Sequence, residues 1–304
     1  KFVQAFLALF GVASLVFFLF TVLPGDPAQM MLDQNEDSAQ LQVIQAKFGF
    51  DLPLYQQYFY YLNDLSPISF HPTNPSKFAH YDMSIYGGIR LYKGTEKTLV
   101  LKFPYFRTSY QKRGKPIWDI IKETLPNTAI LALSSILIAI VAGIFLGILA
   151  TLFKGHWLDR ALLLLSTIGM SVPSFFSAIL FSWFFGYVLH PYTHLNMTGS
   201  LYELDDFGES YRIIWKNLIL PSFVLGIRPI AVITQLMRSN LLEVLSQGYI
   251  RTAYSKGLSK YQVIFKHALK NAINPVVTAV SGWFASLLAG AIFVECIFGW
   301  KGLG

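Results

Sequence analysis

The sequence predicts an all-α polytopic membrane protein. Two observations carry that reading. Of the 304 residues, 54% are apolar and only 13% charged, about half the charge of an ordinary soluble domain. Five long apolar runs are almost free of charge. A membrane span needs about 20 mostly apolar residues, and lipid offers the backbone no hydrogen-bond partner, so each run is expected as a helix. A mean hydropathy of +0.47 agrees. Disorder is excluded, because it requires low hydrophobicity and high charge, and an ordinary soluble enzyme is disfavoured. The single cysteine, Cys296, excludes an intrachain disulfide and a multi-cysteine metal site. A net charge of +7 is compatible with nucleic acid, but in so apolar a chain it reads as cationic cytoplasmic loops.

The first run, residues 2–25, is longer than the 7–15-residue apolar stretch (roughly) of a signal peptide. It ends in Leu23-Pro24-Gly25-Asp26-Pro27 without a small-x-small cleavage site. It therefore reads as a first transmembrane helix, residues 1–25. Residues 26–123 form a long segment outside the membrane. Within 33–61, Leu41, Ile44 and Phe48, then Tyr55, Tyr58, Phe59 and Leu62, recur at spacings of three and four, the helical period. Pro53 is placed to start the second piece. From 66 to 116 prolines and glycines punctuate the chain, and 98–103 carries a strand pattern. The interleaved tyrosines and lysines leave peptide or nucleic-acid contact open. A small ordered insert with interfacial aromatics is the favoured reading.

The remaining runs are 124–153, 161–202, 217–237 and 271–294. The loop 154–160 holds Lys154 and Arg160 against Asp159. Residues 238–270 hold Arg238, Arg251, Lys256, Lys260, Lys266 and Lys270 against Glu243 alone. The loop before the fourth span carries Glu203, Asp205, Asp206 and Glu209 against Arg212 and Lys216. The positive-inside rule puts the amino terminus and 238–270 in the cytoplasm, and 26–123 and the acidic loop outside.

Several residues inside the spans bear on transport. Ser166, Thr167, Ser171, Ser174 and Ser177 surround Pro173, which is expected to kink the third span because proline lacks an N–H and clashes with the carbonyl four residues back. Either these hydroxyls line a wetted pathway or they bond their own backbone. Arg228 is the one charge inside a span, at a cost of about 2.5–3.5 kcal/mol at mid-membrane. It must face water or a partner, and either a substrate anion or a structural pair would suit it. Thr278, Gly282, Ser286 and Gly290 repeat four apart, and Gly143 and Gly147 do the same in span two. Such faces favour close helix packing.

Residues 236–275 carry the most specific signal. Span four is expected to run to about 247 and break at Gly248. Residues 249–256 then form a short helix that Gly257 ends with a left-handed stop, and Ser259 caps the next helix. Tyr249, Ile250 and Ala253 give an apolar face. On pattern alone a solvated basic loop and a docked peg stand equally. The run Tyr249-Ile250-Arg251-Thr252-Ala253-Tyr254-Ser255-Lys256-Gly257-Leu258-Ser259, followed by His267-Ala268-Leu269-Lys270-Asn271-Ala272, resembles the cytoplasmic loop of inner-membrane permeases of binding-protein-dependent ATP-binding-cassette importers, of the dipeptide/oligopeptide type. Further matching blocks follow in order along the chain: 23–27, 48–53, 125–128, 171–175 and 299–304. Gly248, Tyr254 and Gln235 depart from the family pattern.

The resemblance implies a type I importer transmembrane domain, with five spans here of an expected six and an extracytoplasmic insert between spans 1 and 2. The permease core is 124–304. Tyr249, Ile250, Arg251, Thr252, Ala253, Lys256, Gly257 and Leu258 would form the helix that docks on an ATPase. The pathway candidates are Ser171, Pro173, Ser174, Ser177 and Arg228. The implied partners are a second homologous permease, two ATP-binding-cassette ATPases, an extracytoplasmic solute-binding protein and membrane lipid, with no nucleic acid. The chain lacks a phosphate-binding G-x-x-x-x-G-K-[ST] loop, so ATP and Mg belong to the partner ATPases; no cofactor, metal site or catalytic residue is expected here. Peptide is the family default, while relatives also carry nickel complexes, opines and glycosidic compounds. The rivals are a secondary transporter or channel, which needs intramembrane acids and has only Glu295, and an intramembrane hydrolase, for which no H-E-x-x-H or G-x-S-x-G is present.

Overall fold

A computed structural model describes residues 1–22, 28, 38–75, 77–109, 112, 114–205 and 210–304. The block 23–27, the start of the 33–61 helical pattern, and Asp206 and Glu209 of the acidic loop lie outside the described residues. The chain divides into two compact units, Lys1–Ile121 and Lys122–Gly304.

In the first unit, α1 (Phe2–Val22) is apolar along its length and leaves nearly all its side chains exposed. That is the pattern of a helix whose surroundings are lipid. Its second half meets α3 (Leu54–Leu65): the rings of Phe17 and Phe18 pack on Tyr58, and Ser14 Oγ lies 2.7 Å from the Tyr58 hydroxyl. Before α3, the helical pattern resolves into α2 (Ser38–Phe48). Pro53 takes the N-cap of α3, as its fixed φ suits.

The all-α expectation fails in the rest of this unit. Strands β1 (Ile68–Pro72), β2 (Ile89–Lys93) and β3 (Lys97–Leu101) form an antiparallel sheet in the order β1-β3-β2, with the short α4 (Met83–Tyr86) between β1 and β2. Only the β3 pattern was legible. The alternation along β1 is carried by Ser69 and His71, which are polar yet point inward, so it does not register as hydrophobic period two. All five residues of β2 are exposed, which erases any alternation there.

The core of this unit is polar. Asp64 is 3% exposed, and Arg107 Nε donates to its Oδ2 at 2.8 Å. The buried Lys102 donates from Nζ to the Asp64 carbonyl, and Tyr105 N–H donates to the same oxygen. His71 Nε2 lies 3.0 Å from Ser69 Oγ, with its ring 4.3 Å from that of Tyr86. Burial raises the Asp64 carboxyl against the opposing pull of Arg107, and burial lowers both Lys102 and His71.

The boundary between the units falls within α5 (Ile117–Leu152), most of which belongs to the second unit and which continues through Pro126. The helix thus begins earlier in the chain than the expected start at Thr124. α6 (Trp157–Ser171) and α7 (Ser174–Trp183) follow, α7 continuing through a π-helical turn, Phe184–Val188. Pro173 does more than kink the third span: Val172 and Pro173 are extended, and the two helices meet at 109°. The short α8 (His190–Thr193) and the hairpin β4 (Tyr202–Leu204)–β5 (Tyr211–Ile213) lead to α9 (Lys216–Leu245). After α9 come α10 (Gly248–Ser255) and α11 (Lys260–Gln262), then a π-helical stretch (Val263–Ala268) running into α12 (Leu269–Ala272). α13 (Asn274–Gly290) turns away from that stretch by 50°, and α14 (Ile292–Phe298) closes the described elements. Among the described residues, α1, α5 and α9 are long and apolar enough to cross a membrane singly; the two bent pairs bring the spans to as many as five.

α9 is the hub of this unit, with Ile233, Met237 and Leu241 fully buried in one core with residues of α5, α7, α10, α13 and α14. Span two meets it through its glycines. A Cβ on Gly143 would lie 2.7 Å from Ile233 Cβ, and one on Gly147 would lie 2.5 Å from Met237 Cβ. These distances allow no side chain without moving α9.

Overpacking this contact costs about 1–3 kcal/mol. Gly147→Val is therefore expected to lower the thermal unfolding midpoint of the detergent-solubilised protein, whereas Gly282→Val, which meets no atom within 4 Å in this chain, is expected to leave it unchanged. Equal midpoints for both variants would contradict the assignment of α5–α9 as the close-packed pair.

Candidate functional site

Two sites emerge in the second unit. The first is a cavity of about 80 Å³ lined by Gly169, Ser174, Ser177, Arg228, Trp283 and Ser286 among others. It gathers one end of α7, the middle of α9 and the second half of α13. Of the pathway candidates, Ser174, Ser177 and Arg228 meet here. Ser171 and Pro173 do not line it: Ser171 Oγ instead donates to Thr167 O at 2.9 Å, as Thr167 does to Leu163 O and Ser166 to Leu162 O. For those three hydroxyls the backbone-bonding alternative is the one observed. Arg228 is exposed, and among the described residues its Nη2 makes a single long hydrogen bond, 3.5 Å, to the carbonyl of Val172 at the α6–α7 break. Beside it, the small-residue face of α13 is open: Thr278, Gly282, Ser286 and Gly290 are all exposed, and a Cβ on either glycine would touch nothing within 4 Å. Among the described residues the packing expected for this face is not made, in contrast to Gly143 and Gly147.

The second site is the corner around α10. A two-turn helix is marginal in water, and α10 is held by its apolar side. Ile250 and Ala253 are buried, packed into the core with Val263 and Ile264, and Leu258 packs against the same core. The Tyr249 hydroxyl accepts from Asn271 Nδ2 at 2.7 Å. The apolar face thus fastens the helix to its own chain. The face left in solvent is polar: Arg251, Thr252, Tyr254, Ser255 and Lys256. At the corners, Gly257 has φ +81°, a left-handed backbone that glycine adopts at little cost. Gly248 is not the hinge expected of it. The break lies at Gln247, whose ψ of 153° is extended, and Gly248 is already the first helical residue. Ser259 caps α11 in a reciprocal capping box with Gln262.

A bidentate ion pair that the sequence did not single out braces this corner. Arg238 Nε and Nη2 donate to Asp159 Oδ1 and Oδ2 at 2.6 and 2.8 Å, and Gly155 N–H donates to Oδ2 at 3.0 Å. The available signal was the lone anion of the 154–160 loop set against the first cation after span four. Lys260 Nζ also donates to Leu152 O at 3.2 Å. A second polar knot joins α14 to α5. Glu295 is 1% exposed; Thr128 Oγ1 donates to its Oε1 at 2.6 Å and Gly304 N–H to its Oε2 at 2.7 Å. Trp300 Nε1 donates to Asn127 O at 3.1 Å. Among the described residues no three His, Cys, Asp or Glu side chains gather into a group able to hold a metal.

The family model described as "Binding-protein-dependent transport system inner membrane component" matches residues 143–304, and the model of the N-terminal part of such membrane components matches residues 1–69. The chain belongs to this family. It is a multi-pass inner-membrane component, and both sites lie largely within the matched 143–304 segment. The component is 32% identical over 301 residues to the oligopeptide transport system permease protein AppB of Bacillus subtilis, covering 97% of this chain and 81% of that one. It is 30% identical to the di/tripeptide transport system permease protein DppB of Pseudomonas aeruginosa, with the same coverage. To the glutathione transport system permease protein GsiC of Escherichia coli it is 29% identical, covering 97% of this chain and 80% of that one.

The ion pair gives a stability prediction. Removing one member of a buried pair costs about 3–5 kcal/mol. Here the Arg238 side chain keeps 21% exposure, so Asp159→Ala is expected to cost less, on the order of 2 kcal/mol. Amide exchange in 153–160 should quicken. Exchange and unfolding midpoint both at wild-type values would remove the brace from the account.

Proposed function

We propose that this chain is the membrane-spanning subunit through which an ATP-driven importer passes short peptides into the cytoplasm. It would form the pathway with a second, homologous permease, be driven by two partner ATPases, and receive substrate from an extracytoplasmic binding protein. The substrate class rests on the peptide and glutathione transport functions of the relatives. The observation that carries the mechanism is α10: a short helix fixed to its own chain by Ile250 and Ala253, presenting Arg251 and Lys256 outward. Anchored on one side, such a helix passes a push on its free side to α9 and α12 as a rigid body. Its cations offer charge-assisted hydrogen bonds to an acidic receiving surface. The charge excess of 238–270 supports a cytoplasmic location for α10 and for the amino terminus.

The open face of α13 and the exposed Arg228 support a pathway completed by a second permease. A guanidinium there suits a peptide carboxylate, and exposure toward a wetted interface relieves its cost in lipid. The ion-coupled alternative needs an available intramembrane acid. The two oxygens of Glu295 already accept from Thr128 and Gly304, which argues against it.

In proteoliposomes holding the assembled transporter and its binding protein, peptide uptake is expected to require ATP and to ignore an imposed proton or sodium gradient. Uptake that follows the gradient without ATP would overturn the proposal. Gly257→Val strains a left-handed backbone by about 1–2 kcal/mol and meets no atom within 4 Å, so it is expected to tilt α10 and abolish uptake while membrane insertion stays normal. Arg251→Glu is expected to weaken co-purification of the ATPase. Full uptake by Gly257→Val together with undiminished ATPase co-purification by Arg251→Glu would leave α10 an ordinary basic loop.

A further inference from the structure

The first unit contains a cavity of about 660 Å³ whose lining includes Lys47, Phe48, Asp64, Lys77, Phe78 and Tyr86. That size falls in the range of small-molecule sites, roughly 300–1,000 Å³. Its polar content is unusual. Asp64 is 3% exposed; Oδ2 is held by Arg107, but Oδ1 is buried with no hydrogen-bond partner. A buried acceptor left unmade costs about 1–3 kcal/mol, and its place in the cavity lining leaves a donor on a bound molecule as the means of satisfying it. The donor must be neutral. Arg107 and the buried Lys102 already face Asp64, so a further cation would be repelled. Lys47 and Lys77 are exposed ammonium groups on the same lining and call for an anion. Phe48, Phe78 and Tyr86 supply apolar, aromatic walls.

From these groups we infer that the cavity is a binding site for the carboxyl-terminal end of a short peptide: the carboxylate on Lys47 and Lys77, the last amide N–H on Asp64 Oδ1, and an apolar side chain against Phe48 and Phe78. The inference shares the peptide class with the proposed function, but the site lies in the other unit from the cavity at Arg228 and needs neither ATP nor a partner to fill.

The test is therefore equilibrium binding to the purified full chain in nanodiscs, without ATPase or binding protein. Three probes separate the contacts. N-acetylphenylalanine has carboxylate, amide N–H and ring; N-acetylphenylalaninamide lacks the carboxylate; 3-phenylpropionate lacks the amide. The first is expected to bind saturably, and each of the others at least about tenfold more weakly. Lys77→Gln, a surface change, is expected to weaken the acid about tenfold and leave the amide's weak binding unchanged. Asp64→Ala is expected to remove the preference for N-acetylphenylalanine over 3-phenylpropionate; should it fail to fold, the probe pair on the wild-type chain reads the same contact. No saturable binding of any probe, or equal binding of acid and amide, overturns the site. ATP-driven peptide uptake alongside such a result would overturn this inference alone, whereas saturable binding with no ATP-driven uptake would overturn only the transport reading.

Discussion

The ion pair between Asp159 and Arg238 fixes the corner from which α10 is hung, and the proposed coupling role depends on it. Its two parallel hydrogen bonds hold the turn after α5 and the start of α6 against the far end of α9. Lys260 ties the start of α11 to the last turn of α5. The helix α10 hangs between these fastened ends and would not persist alone. Burial of Ile250 and Ala253 seats it in the frame. The frame thus joins α5, α6 and α9 around α10.

A second constraint comes from lipid, which satisfies no backbone polar group. Among the described residues α1, α5 and α9 are unbroken and two further helix pairs are bent. The sharpest break, at Val172 and Pro173, lies next to Arg228 and the cavity shared by α7, α9 and α13. The open small-residue face of α13 flanks that cavity. Close-packed glycines mark contacts made within the chain, as on α5, whereas the glycines of α13 meet no atom of the described residues within 4 Å.

The membrane helices were legible because a run of apolar residues is the most direct signal a sequence carries, and Gly257 and Ser259 declared their turn and cap by residue type. The direction of the α10 face was not legible. Periodicity shows that Ile250 and Ala253 share a side, but not whether that side meets a partner or its own chain. Gly248 misled because glycine suggests a hinge even where the neighbouring Gln247 makes the bend. The first unit was hard to read because its inward residues, Ser69, His71, Asp64 and Lys102, are of types normally found outside. The Asp159–Arg238 and Thr128–Glu295 pairs join residues far apart in the sequence, and no local pattern announces such partners.

The central claim is that the free face of α10 is the surface that meets the ATPase. A photo-activated cross-linker placed at Arg251 or Lys256 of the assembled transporter tests it most directly, with Ile264, buried beneath α10, as the internal control. The account predicts covalent capture of the ATPase subunit from both exposed positions and none from Ile264. Capture of lipid alone from Arg251 and Lys256 would contradict it.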